Sequence, residues 1–194
     1  MSTRTWTLVR YLLSRTEVEN TLYLKANKEK TVVSYVREVK YLGYSFYVMK
    51  GKCQLTVHSK SKAKMKSGLK ELTSCSNGWE YAKRKQKLKE YIRGWGGYYH
   101  LANMKRLLLE TDEWLRRRIR MCIWKAWKKV KTRVANLIRC GINKHKAYEW
   151  GNTRKGYWRI ADSYILHRAI TNEYLCRAGY ATFLMGAYLE WHPK

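Results

Sequence analysis

Apolar and aromatic side chains at three- and four-residue steps dominate the middle of the chain and set its fold class. Leu88, Tyr91, Ile92, Trp95, Tyr98 and Tyr99 recur at that spacing, and so do Leu108, Leu115, Ile119, Ile123, Trp127 and Val130. A helix gathers such positions on one face because it repeats every 3.6 residues, whereas a strand would alternate. The spacing predicts a helix that starts near Trp79 and Glu80 and a longer one over 104–134. Gly94, Gly96 and Gly97 interrupt the first. Each costs about 1 kcal/mol relative to alanine in a helix interior, which predicts compensation by close packing against another backbone. No proline occurs before Pro193, as suits a mainly helical chain.

The flanking segments carry weaker signals. Trp6, Leu8, Val9, Leu12 and Leu13 fit one face of a short helix, and 27–30 reads as a polar turn. Segments 31–35, 40–48 and 53–57 are rich in Val, Tyr and Phe and predict strands, with a tight turn at Gly51 and Lys52. So few short strands bury little surface alone and must lean on the helical segments after them. Ser59 or Ser61 is the expected cap of a helix to about Thr73, with Met65, Leu69 and Leu72 inward and Lys60, Lys62, Lys64, Lys66 and Lys70 along it. Segment 74–78 is a loop. Beyond 134, Gly141 ends a short extension, 144–150 forms another helical turn or two, 151–159 is a loop, and a last helix over 161–177 stops at Gly179. The expected divisions are 1–58, a strand-rich piece; 59–135, the helical centre; and 136–194, a helical extension.

The charge constrains the partner. The 194 residues hold 41 Lys and Arg against 14 Asp and Glu, a net charge of +27, yet 45% are hydrophobic. A chain able to build a core but this cationic resists its own compaction unless a polyanion meets it, and nucleic acid is the first candidate. From Lys105 to Arg133 there are eleven Lys and Arg, three acids and three tryptophans. Phosphates attract such a surface and bases can stack on its rings. The RNA-binding set expected on these grounds is Arg93, Arg116, Arg117, Arg118, Arg120, Trp124, Lys125, Lys128, Lys129, Lys131, Arg154 and Lys155. Trp95, Tyr98 and Tyr99 read as helix–helix core before they read as a stacking platform, and His100 as a packed residue before a base. In the long helix, Asp112 and Glu113 near the start and cations near the end would suit the helix dipole.

Chemistry of other kinds finds little support. Two-metal phosphoryl transfer needs converging carboxylates, and the only aspartates are Asp112 and Asp162. Gly94-Trp95-Gly96-Gly97 lacks the Lys-Ser/Thr of a phosphate loop. The five histidines are scattered. The five cysteines are odd in number and unpaired in spacing, so they read as reduced thiols of a cytoplasmic protein, without metal or cofactor. No run of about 18 apolar residues exists to span a membrane, and the first residues make a poor signal peptide.

Taken as an ordered set, these segments resemble a known family. Leu42-Gly43-Tyr44-Ser45-Phe46, after Glu29-Lys30-Thr31, resembles the last palm motifs of group II intron-encoded reverse transcriptases. Tyr91-Ile92-Arg93-Gly94-Trp95 with Tyr98-Tyr99 is similar to their maturase-specific region, also called domain X or the thumb. Asp112 to Arg120 and Trp124-Lys125-Ala126-Trp127-Lys128 continue it, and Asn172-Glu173-Tyr174-Leu175 with Gly179-Tyr180 resembles the end of members without an endonuclease. The resemblance spans about 22–180. It implies a mainly α, thumb-like bundle with a small β-rich palm remnant, and a partner in group II intron RNA. The fingers, most of the palm and the metal-binding Tyr-Ala-Asp-Asp are lacking. The expectation is therefore a maturase-type fragment that binds intron RNA and favours its splicing-competent fold, without polymerase catalysis of its own. Alternatives are one piece of a split reverse transcriptase that needs a separate fingers–palm fragment, or a mobile-element remnant.

Overall fold

Two turns with positive φ at both central residues build the first part of the fold. Leu42 and Gly43 have φ of 49° and 84°, and Lys50 and Gly51 have 51° and 74°. Turns of this hand match the twist of a hairpin. In the computed structural model, which describes residues 19–21, 23, 34–180 and 184–192, they join β1 (Lys40–Tyr41), β2 (Tyr44–Met49) and β3 (Lys52–Val57) into an antiparallel sheet of that order. Tyr41 pairs with Tyr44 and Met49 with Lys52. The expected strand over 40–48 is thus two strands, because Leu42 and Gly43 turn the chain. The expected helix before residue 19, the turn at 27–30 and residues 31–33 of the first strand lie outside the described residues.

The rest is mainly α-helical: α1 (Ser59–Leu72), α2 (Tyr81–Tyr99), α3 (Lys105–Ala126), α4 (Val130–Arg139), α5 (Lys144–Gly151), α6 (Tyr157–Ile160), α7 (Tyr164–Ala169), α8 (Asn172–Leu175), a π-helical turn at Cys176–Tyr180 and α9 (Leu184–Trp191). A mainly α fold with a small sheet is what the sequence predicts. One hydrophobic cluster runs from Val57 through Met65, Ile92, Leu115 and Leu137 to Tyr188. The sheet joins it through backbone bonds, His58 N to Gly43 O at 2.9 Å and Asn103 N to Leu55 O at 2.9 Å.

Several boundaries differ from expectation for local reasons. The cap of α1 is His58, whose Nδ1 accepts from Lys60 N at 3.2 Å, while Ser61 Oγ donates to Gly43 O at 3.1 Å. The helix expected over 104–134 breaks at Trp127. Its freed carbonyl accepts from Arg133 Nε at 3.0 Å, and the Arg133 guanidinium lies 4.9 Å above the Trp124 ring. The buried stripe therefore runs through Trp124, and Val130, expected inside, is exposed. The helix expected over 161–177 breaks at Ile170, where Thr171 caps α8 by accepting from Tyr174 N at 3.1 Å. Part of the loop expected over 151–159 is α6.

No sequence signal marks α9, yet this helix accounts for two of the glycines. A methyl group on Gly96 would lie 3.7 Å from Ala187 Cβ, and one on Gly97 the same distance from the Trp191 ring. The expected close packing exists at these two positions, against side chains of α9 instead of backbone. His100 accordingly packs, its ring stacked on Trp191 at 5.2 Å and its Nδ1 bonded to Gly97 O at 2.6 Å. Asp112 accepts from Leu184 N at 2.9 Å and Met185 N at 3.0 Å, so it satisfies the start of α9 from a helix far away in sequence. The cysteines are free thiols. Cys122 Sγ lies 3.1 Å from Cys75 Sγ and 3.1 Å from Thr73 O. Burial pushes the Cys122 thiol up to about 12, so it keeps its proton and donates to that carbonyl.

Candidate nucleic-acid interface

The arginines of α3 are occupied by the fold. Arg118 donates through Nε to Thr73 Oγ1 at 2.5 Å and through Nη2 to both Lys70 O at 3.0 Å and Thr73 O at 3.2 Å. It thereby closes the end of α1, where unpaired carbonyls and the dipole favour a cation. Arg120 is 4% exposed; its Nε donates to Ile170 O and its terminal nitrogen to Asn172 Oδ1, both at 2.9 Å. Those bonds pin the break between α7 and α8. Burial pulls both guanidiniums down from their usual range. Arg117 pairs with Asp162 at 3.0 Å, donates to Trp158 O at 3.1 Å and stacks 3.9 Å over the Trp158 ring, holding α6 to α3.

Trp124 is 1% exposed and belongs to the core. Of the expected RNA-binding set, Trp124 and Arg120 are buried and Arg118 is half-buried, with Nε and Nη2 of each arginine engaged inside the protein. Arg116 and Arg117 remain at the surface in part. With Arg120, Glu110, Glu113 and Asp162 they line a groove of about 480 Å³. Its acids make this groove a poor phosphate site.

Cations without such obligations collect at the α3–α4 break. Lys128, Lys129 and Lys131 are exposed, and Lys125 is half-buried. Lys129 is the N-cap of α4, and no acid occupies the first turn of that helix. The break thus reverses the expected dipole relation. These lysines stand at a helix start, where the dipole opposes cations and the unpaired amides attract anions. Gly151, which closes α5, packs so tightly on α4 that a methyl group there would come within 2.7 Å of Val134 Cγ2, and exposed Arg154 and Lys155 follow it by three and four residues. Arg93 is exposed on α2, apart from this cluster in sequence and element. The lysine row of α1 divides between two faces, Lys60 and Lys64 on one and Lys62, Lys66 and Lys70 on another; Lys62 is half-buried and the others are exposed.

Among the described residues no three His, Cys, Asp or Glu side chains converge to hold a metal ion, and no helix is long and apolar enough to cross a membrane.

Residues 62–141 match the family model of the group II intron, maturase-specific domain. The matched span runs from the first turn of α1 to the end of α4, so it includes Lys62, Lys64, Lys66 and Lys70 of α1 and the α3–α4 break. It covers less than half of the chain and does not extend to Leu42-Gly43-Tyr44-Ser45-Phe46, the motif that resembles the palm. No curated protein matches the chain.

Proposed function

We propose that the chain binds group II intron RNA through the cationic end around the α3–α4 break and so favours the splicing-competent fold of that RNA, in the cytoplasm and without polymerase chemistry of its own. The observation that carries this reading is the placement of exposed Lys128, Lys129 and Lys131 at the start of α4, within a segment of maturase-specific type, with exposed Arg154 and Lys155 following the helix that packs on α4. Alone, cations at a helix start are unfavourable by a few tenths of a kcal/mol each; an RNA phosphate turns the same arrangement favourable. The protein would act by binding the folded RNA more tightly than its alternatives, which is what shifts a conformational equilibrium. Filter binding of intron RNA across a salt series tests it. Five phosphate contacts predict a log–log slope of about −3.5 on unpaired segments. Absence of binding at 0.1 M salt, or a slope near zero, would refute the reading.

A second reading has its own observation. Tyr41, Leu42, Val48 and Met49, on or beside the small sheet, are 64%, 63%, 47% and 46% exposed. An apolar surface with an open strand edge suits a polypeptide partner. The partner of fitting chemistry is a separate fingers–palm fragment that would complete a reverse transcriptase. Primer extension is expected to fail with this chain alone and to appear with such a fragment present; no activity in the mixture would dismiss the idea.

A further inference from the structure

Away from the α3–α4 break, α1 and α2 diverge around a groove of about 410 Å³, lined by Lys64 on α1 and by Tyr91, Gly94, Trp95 and Tyr98 on α2. Part of its wall is core, as at Met65, but part is not. Tyr98 is 52% exposed, and Trp95, packed on Tyr99 with ring centroids 4.7 Å apart, is half-buried beside it. The expectation that these rings form core holds for Trp95 and Tyr99, which pack against the hydrophobic cluster, and not for Tyr98. Tyr98 is held in place by its hydroxyl, which donates to Leu42 O at 2.9 Å, and by Tyr44 stacked 6.1 Å away and Tyr99 edge-on at 4.7 Å, so the ring is ordered while half of it stays exposed.

Gly94 supplies an independent observation. Gly96 and Gly97 admit α9, but no described atom lies within 4 Å of where a Gly94 side chain would begin. A glycine inside a 19-residue helix is unfavourable by about 1 kcal/mol, and nothing described within the protein requires it. Its effect is to keep the groove open between Tyr91 and Tyr98.

Charge selects the occupant. Lys64 on the wall has exposed Lys60 one turn before it on the same face of α1. The one acid at the rim, Glu90, is engaged by Lys87 at 3.1 Å and Gln86 at 3.0 Å. Ordered aromatic rings beside an exposed lysine pair fit a base attached to a phosphate backbone. An apolar peptide would leave those charges unused.

We infer that the α1–α2 groove is a nucleobase subsite: an unpaired base of the RNA stacks on Trp95 and Tyr98 while its adjoining phosphate meets Lys64. The inference rests on the RNA-binding reading and adds a base-dependent contact to one that phosphates alone could satisfy. The full chain carrying Gly94→Leu tests it, because leucine suits a helix, its Cβ meets no atom within 4 Å and its longer side chain would occupy the groove. Two probes are compared, an adenine-rich unpaired RNA and inorganic polyphosphate, which has the charge without the bases. For RNA the variant should lose about five- to 150-fold in affinity, the range of one lost base–aromatic stack. Its polyphosphate affinity should stay as in wild type, and its thermal midpoint should equal or exceed the wild-type value. Equal losses for both probes, or unchanged RNA affinity, would overturn the subsite and leave the cationic interface standing. Binding of neither probe by the wild-type chain would overturn both readings. Self-association in wild type that Gly94→Leu abolishes would give the groove to a second polypeptide.

Discussion

Asp112→Ala is expected to lower the unfolding free energy by about 3 kcal/mol, because two N–H groups at the start of α9 would lose their acceptor together. The carboxylate is fully buried and takes one bond from Leu184 N and one from Met185 N, with Arg116 as its nearest opposing charge. The consequence reaches beyond α9. That helix lies against Gly96 and Gly97 of α2, and Tyr188 Oη donates to Ala102 O at 3.4 Å, so losing it would uncover the surface that α2 and α3 share. Asp112→Asn keeps one acceptor and should cost less, about 1 kcal/mol. Urea denaturation of the three proteins at pH 7 measures both differences.

The same residue gives an unusual pH dependence. Burial raises the Asp112 pKa above its ordinary value, and the bonds from Met185 and Leu184 oppose but do not cancel that effect. In the window between the unfolded and the folded pKa the native state therefore holds the proton more tightly than the unfolded chain does. Linkage then requires this group's contribution to fall as pH rises from the unfolded value through the folded one, and to level off above it. Wild type should lose stability relative to Asp112→Asn over that interval, the reverse of an exposed, salt-bridged carboxylate. A difference that grows with rising pH would show that the two amide bonds outweigh desolvation.

Asp112 also shows why part of the fold was hidden in the sequence. Helices α1, α2 and the first part of α3 were legible because each carries its apolar stripe in its own residues: Met65 and Leu69, Leu88 and Ile92, Leu115 and Ile119. Helix α9 had no such local signature, since the groups that satisfy its start belong to Asp112 and the groove that receives it is formed by Gly96 and Gly97 of another helix. The break at Trp127 is local but leaves no mark in the apolar spacing. The stripe of Leu108 to Val130 fits an unbroken helix, and what accompanies the break is Arg133, which meets both the Trp127 carbonyl and the Trp124 ring. For the interface, charge density located the right region and misjudged its members. A run of arginines looks the same in sequence whether it faces water or closes helix ends. Arg118 and Arg120 do the latter, because they donate to the carbonyls of Lys70, Thr73 and Ile170.

This division between structural and available cations leads to the second large effect. Replacing Lys128, Lys129 and Lys131 together with glutamine should weaken intron-RNA binding about 100-fold at 0.1 M salt. Each phosphate contact contributes about −0.7 to the log–log salt slope on unpaired RNA, so three lost contacts flatten it by about 2. Extrapolated from 1 M salt, where this contribution vanishes, one decade of concentration makes that a factor of about 100. The triple variant should unfold like wild type or slightly later, since these side chains are exposed and the dipole at the start of α4 opposes their charge. Arg118→Gln should behave the opposite way. Its guanidinium closes three acceptors at the end of α1, so the unfolding midpoint should drop while the salt slope of the folded protein keeps its wild-type value. Salt titrations paired with melting curves separate the two outcomes. A triple variant that retains the wild-type slope would mean that phosphates do not meet the chain at the α3–α4 break, and an Arg118→Gln protein with a flattened slope and unchanged melting would return the interface to the arginine run of α3.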